Sequence, residues 1–188
     1  MRTPLAYVFW HWPREEIPRK RYEEKLSSFI RALNAKKQRG ILGALSFRVE
    51  SLPWSPRRSL YEDWYLVENF EALGALNEAA LSAEARGPHD AVAKDYMKGT
   101  GGVFRSVRSG LDIHDSRFAT WIEKPVGPSY ESYYEGVARS VGDRKTDLWR
   151  RQLVLGPSSQ FCVHSFEEIE FRRDLRPIVT RLDPVRLD

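Results

Sequence analysis

The sequence has one cysteine, Cys162, in 188 residues, so no internal disulfide can form. A lone thiol suits a reducing compartment, and a cytoplasmic location is the expectation. No apolar run approaches the ~18 residues that a membrane span requires. The opening M-R-T-P-L-A-Y has neither the apolar stretch nor the small-residue cleavage site of a secretory leader. Neither the G-x-S-x-G nucleophile elbow nor the G-x-x-x-x-G-K-[ST] phosphate loop occurs. The G-T-G-G at Gly99–Gly102 precedes a strand rather than a helix and reads as a turn. His114 has no partner ligand at zinc-like spacing. Charge of one sign is also scarce in excess: 30 Lys and Arg are interleaved with 26 Asp and Glu, for a net +4. The clusters Arg19-Lys20-Arg21 and Lys36-Lys37-Gln38-Arg39 sit at helix edges and read as solvated surface, not as a nucleic-acid face.

What is present is apolar and aromatic patterning, with 41% hydrophobic and 12% aromatic residues, enough for a folded globule. Ala6 to Trp12 reads as a strand that is apolar on both parities, with Pro13 ending it. Pro18 opens a helix from Arg19 to Ala35, in which Tyr22, Leu26, Phe29, Ile30 and Leu33 share one face, and Gly40 closes it. Ile41–Glu50 and Tyr61–Val67 are strands on either side of the L-P-W-S-P loop. Asn69 caps a second helix that Gly87-Pro88 breaks; His89–Lys98 is a short extra helix, and Val103–Val107 is a fourth strand. The order β-α-β-β-α-β is that of a ferredoxin-like unit, an antiparallel sheet with its helices on one face.

The second half echoes the first. A shift of 112 residues sets Pro125 on Pro13, Trp121 on Phe9, Glu123 on His11 and Tyr134-Glu135 on Tyr22-Glu23. A shift of 96 then sets V-H-S-F-E-E-I at Val163–Ile169 on V-E-N-F-E-A-L at Val67–Leu73. Phe118–Lys124 and Asp147–Leu155 are therefore strands around a helix at Ser129–Val141. Ile178–Leu182 closes the unit, with a second helix short or replaced and D-P-V-R-L-D as a tail. Residues 1–110 form one ferredoxin-like unit and 111–188 a second, shorter one.

Two tandem units of this kind resemble the dimeric α+β barrel superfamily. The stretch D-W-Y-L-V-E-N-F-E-A-L at Asp63–Leu73 is similar to a W-x-x-x-x-x-F segment of its small members. The resemblance implies an α+β fold of two βαββαβ units whose antiparallel sheets pack face to face as a barrel. It also implies a small-molecule protein, in a group that includes cofactor-free monooxygenases, haem proteins and lactone isomerases. Fold alone does not choose among them. Several haem-binding members use a helical histidine, which raises His89; Asp90 beside it argues against an apolar haem pocket, and no cofactor is expected. A homodimer is left open.

The expected pocket lies between the two sheets. His11 and Glu123 are the candidate acid–base pair, with Trp10, Trp64, Trp121, Gln160 and His164 around the ligand. The reading is cofactor-independent oxygenation or isomerisation of an aromatic substrate. The alternative is a structural or oligomerisation protein with a filled interior. An RNA-recognition module is disfavoured, because the third strand Y-E-D-W-Y-L-V-E has acids where that motif needs a basic residue and glycine. Cys162, mid-strand among apolar residues, is an inert thiol.

Overall fold

The computed structural model describes residues 3–36 and 38–187; Lys37 of the second basic cluster, with Met1, Arg2 and Asp188, lies outside them. Alternation along Leu5–Pro13, strand β1, sends Ala6, Val8, Trp10 and Trp12 to one face and Tyr7, Phe9 and His11 to the other. The chain continues through α1 (Arg19–Ala35), β2 (Ile41–Val49), β3 (Leu60–Val67), α2 (Phe70–Ala80), α3 (Ala83–Ala93) and β4 (Tyr96–Arg108). The second half runs β5 (Phe118–Ile122), α4 (Tyr130–Val141), β6 (Thr146–Arg151), β7 (Phe161–Ser165), β8 (Ile178–Arg181) and β9 (Asp183–Pro184). A 3₁₀ turn at Arg173–Leu175 stands between β7 and β8, where α2 and α3 stand between β3 and β4.

All pairings are antiparallel, in the order β8-β5-β7-β6-β4-β1-β3-β2-β9. Each half has the ferredoxin-like order, its fourth strand beside its first and its third between first and second. The halves join where β4 pairs β6. They join again because β8 and β9 are separated by Leu182 alone: β8 pairs β5 while β9 pairs β2 through Phe47↔Pro184 and Arg48↔Asp183. The sheet thus closes on itself. The expected tail D-P-V-R-L-D is instead the closing seam, with the Val185 amide donating to the Ser46 carbonyl at 2.9 Å. Pro184 has no N–H to give, which suits so short a strand.

Local signals act mostly as read. The Asn69 side chain accepts the Ala72 amide at 2.9 Å, and Ser129 accepts that of Ser132 at 3.1 Å, each capping its helix. The break expected at Gly87-Pro88 does not occur. Pro88 lies inside α3, and the helix break falls at Leu81–Ser82. A proline there removes one backbone donor; burial of Ala85 and Val92 in the layer shared with α1 holds the helix through it.

Barrel closure makes one face of every strand interior. That interior holds Trp10, Trp12, Trp64, Trp121 and Trp149 with Phe47 and Phe104, and Trp54 packs against it from the long loop. All six tryptophans of the sequence therefore lie in one cluster. Glu62 is fully buried among them and accepts the Trp10 indole N–H at 2.7 Å and the Trp64 indole N–H at 2.8 Å, one per carboxylate oxygen. His164 lies 4.4 Å from the Trp64 ring, with neither ring nitrogen partnered.

Two groups buried inside the barrel contribute to the pH response in opposite senses. Burial pushes the Glu62 carboxyl up to about 7, against the pull of its two indole donors. Burial pushes the His164 imidazole down to about 3. In the fold Glu62 keeps its proton to about pH 7, whereas its ordinary value is 4.5; its contribution is whole below 4.5 and lost as pH rises through 7. His164 stays neutral where an ordinary imidazole charges near 6.5; its contribution is whole above 6.5 and lost as pH falls through 3. The slopes oppose each other between the two ordinary values. Urea unfolding across pH 3–8 should therefore show a plateau between about 4.5 and 6.5, with losses on both sides. His164→Leu should remove the acid-side loss. Glu62→Gln should remove the other at a uniform loss of stability, because an amide oxygen serves only one of the two indoles.

Candidate functional site

A cavity of about 490 Å³ lies between the outer face of β1, β3 and β4 and the helices α1, α2 and α3. This corrects the expected location between the two sheets, where the tryptophan cluster sits instead. One wall is sheet and the other is helix: Leu26, Phe29 and Leu33 of α1, Leu73, Leu76 and Asn77 of α2, and His89 and Val92 of α3.

The sheet wall is flat. Tyr7 and Phe9 rings lie 6.1 Å apart at 22°, Phe9 and His11 5.1 Å apart at 19°, and Tyr7 and Tyr65 6.0 Å apart at 23°. The reason is in β4. G-T-G-G is strand rather than turn, with Gly101 opposite Phe9 and Gly99 opposite His11. A Cβ on Gly99 would stand 2.3 Å from the Phe9 ring, and one on Gly101 2.7 Å from the Tyr7 ring. The bare strand lets both rings lie across it.

At one end of this wall four polar side chains meet. Tyr22 OH and His11 Nδ1 are 2.6 Å apart, His11 Nε2 is 3.0 Å from Asp63 Oδ2, and Tyr65 OH donates to the same oxygen at 2.8 Å. Burial, then the Asp63 charge, holds the Tyr22 hydroxyl well above the ordinary tyrosine range, so it keeps its proton. In the tautomer whose Nδ1 accepts from Tyr22, the Nε2–H faces Asp63, at contact distance but off the line of a straight hydrogen bond. Asp63 is 1% exposed, and its Oδ1 has no partner. An unpaired buried carboxylate oxygen on a cavity wall is an acceptor awaiting a donor.

No family model and no curated protein matches the sequence. Solved structures do. A candidate monooxygenase from Fusobacterium nucleatum superposes with a TM-score of 0.64 at 8% identity, over 98% of this chain and 93% of the other. A candidate monooxygenase from Lactobacillus acidophilus gives 0.59 at 10% identity, over 98% and 95%. An anthrone oxidase-like protein gives 0.54 at 8% identity, over 99% and 92%. The chain has the dimeric α+β barrel fold.

Within this barrel the sequence-predicted residues separate into three places. His11 belongs to the helix-side cavity. Trp10, Trp64, Trp121 and His164 meet inside the barrel. Glu123 and Gln160 meet each other in the second half, the Gln160 amide donating to Glu123 Oε1 at 3.2 Å, while Gln160 Nε2 donates to Tyr130 OH. His11 and Glu123 thus share no cavity lining. The shift of 112 misled here: Phe9 faces the helices whereas Trp121 faces the interior beside Trp10, and a slip of one residue exchanges the two faces of a strand. The sequence reading missed Asp63 and Tyr22 as site residues. Alternation could have grouped Asp63 with Tyr65, and His11 with Tyr7 and Phe9, away from the tryptophans.

His89 lines the cavity, its ring 5.4 Å from Phe29 and its Nδ1 3.1 Å from Asp90 Oδ1. Haem would bring two carboxylates, yet no Lys or Arg stands among the described lining residues, while Asp63 does. These residues do not fit a haem. Among the described residues no helix is long and apolar enough to cross a membrane.

Gly101→Val should drive the Tyr7 ring off the strand. The expected result is a loss of about 1–3 kcal/mol in urea unfolding, the usual range for an overpacked site.

Proposed function

We propose that the helix-side cavity binds a small aromatic molecule carrying a hydrogen-bond donor, and that Asp63 accepts the donor's proton during cofactor-independent oxygenation or isomerisation. The single observation that carries this reading is the unpartnered, buried Asp63 Oδ1 beside a flat ring wall. A planar ligand stacks on Tyr7, Phe9 and His11, where offset aromatic contacts are worth about 0.5–1.5 kcal/mol each. Its hydroxyl or acidic C–H then faces the free oxygen. Transfer of that proton to Asp63 leaves an electron-rich aromatic anion, the species that either dioxygen or an internal rearrangement would consume.

His11 acts here as a positioning residue. Its Nε2 edge lies against Oδ2 and its Nδ1 against the Tyr22 hydroxyl, which leaves Oδ1 as the carboxylate oxygen without a partner. The neighbours' names, monooxygenase and anthrone oxidase-like, agree with chemistry on an activated aromatic carbon. Glu123 has no place in this mechanism, since it stands in the other half of the barrel. A purely structural role is the weaker reading, because a filled interior coexists with a separate cavity that bears an unsatisfied carboxylate.

The test is oxygen uptake and product formation with anthrone, alongside binding measured by tryptophan-independent fluorescence of the ligand. Asp63→Asn should lower turnover by about 10²-fold or more, the usual contribution of a general base, with binding reduced much less. His11→Gln should shift the pH–rate profile. Equal turnover by the wild type and Asp63→Asn would remove Asp63 from the chemistry, and absence of binding would remove the cavity.

A further inference from the structure

We infer that the seam between the two halves carries an anion site that takes a phosphate group, built on Arg105 of β4 and Arg150 of β6. The two residues are direct partners across the seam. Both point outward: Arg105 shares the parity of Val103, on the helix-side cavity wall, and Arg150 that of Leu148, packed under α4. Like charges directly opposite in an antiparallel pair are unfavourable, and a sheet normally offsets them with a carboxylate. Neither guanidinium reaches one among the described residues, although fourteen His, Lys or Arg contacts to carboxylates are made elsewhere.

Neutral groups orient the pair instead. Gln152 Oε1 accepts the Arg105 Nε–H at 3.3 Å, while Gln152 Nε2 donates to the Arg150 main-chain carbonyl at 3.2 Å, so Gln152 ties the Arg105 side chain to the backbone of β6. Thr3 Oγ1 lies at 3.5 Å from Arg105 Nη1. The Arg150 guanidinium lies over the Tyr130 ring at 4.1 Å, and Lys124 Nζ approaches the same ring at 5.2 Å. Tyr130 OH is in turn held by Gln160. A guanidinium fixed through its Nε, or through its face, keeps its remaining N–H fork free for a bidentate acceptor. Two such forks on facing strands, with a lysine beside one of them, match the double charge and several oxygens of a phosphate monoester better than a single carboxylate. The site stands on β4 two residues from Val103 but does not depend on the function assigned to the cavity.

The experiment is calorimetric titration of the whole protein with inorganic phosphate, at ionic strength held constant with sodium chloride. Acetate serves as the comparator. Saturable phosphate binding is expected, at least fivefold tighter than acetate, and weakened at least tenfold in Arg105→Gln and in Arg150→Gln. Without phosphate, both variants should melt no lower than the wild type, because each relieves the repulsion. Arg172→Gln removes one charge from an exposed pair with Asp174 and should leave phosphate binding unchanged. Undiminished binding in the two seam variants, an equal loss in Arg172→Gln, or no preference for phosphate over acetate would each overturn the proposal.

Discussion

The segment from Ile178 to Pro184 pairs with β5 on one side and β2 on the other, and the rest of the structure depends on that double pairing. Closing the sheet through this segment gives the strands a shared interior face, with α1 to α4 and the stretch around the 3₁₀ turn packed outside. With the side-chain period fixed at two, the seam decides the address of each residue on the strands. Trp10, Trp64 and Trp121 are committed to the inside, and Tyr7, Phe9, His11 and Tyr65 to the helix side. Two environments of different character are then built from the same strands.

Much of this architecture was legible in the sequence, for local reasons. The apolar face of α1, the Asn69 cap and the order of elements each rest on short-range patterns that tertiary structure left in place. The inside of the barrel was not legible. Residues Ala6 to Trp12 are apolar on both parities, so periodicity shows a strand covered on both faces and says nothing about which face the tryptophans take. The seam was invisible for a similar reason: Asp183–Pro184 is too short to alternate, and it contains a proline. The G-T-G-G segment was misread because glycine marks turns and close ring-to-backbone approaches alike. Only the opposing Phe9 and Tyr7 rings distinguish the two cases. The site was half legible. His11 was singled out, but its partners come from α1 and β3, and only the fold brings these together.

The two halves share strand order but differ in what covers them. Over the first half stand α1, α2 and α3, and helices meet a sheet through bulky side chains spaced along cylinders, which leaves room between them. Over the second half, α4 is joined by the extended stretch around the 3₁₀ turn. Its Ile169, Phe171 and Leu175 pack straight onto Tyr133, Phe161 and Val163. The substitution of a helix pair by a close-lying segment thus accounts for the ring-walled cavity in the first half and a filled layer in the second.

Glu62 and Asp63 show what this division means for chemistry. They are neighbours on one strand, both almost fully buried, and they face opposite ways. Glu62 has one indole donor on each oxygen, so it is saturated, and its environment is closed. Asp63 has both of its contacts on Oδ2 and none on Oδ1, and it stands on a cavity wall. A buried carboxyl group depends on the hydrogen-bond partners it finds. Glu62 finds a donor for each oxygen within the fold, whereas Asp63 is left one donor short. The step from residue 62 to residue 63 is therefore the boundary between a carboxyl group partnered on both oxygens inside the barrel and one left with an unpartnered oxygen on the helix side.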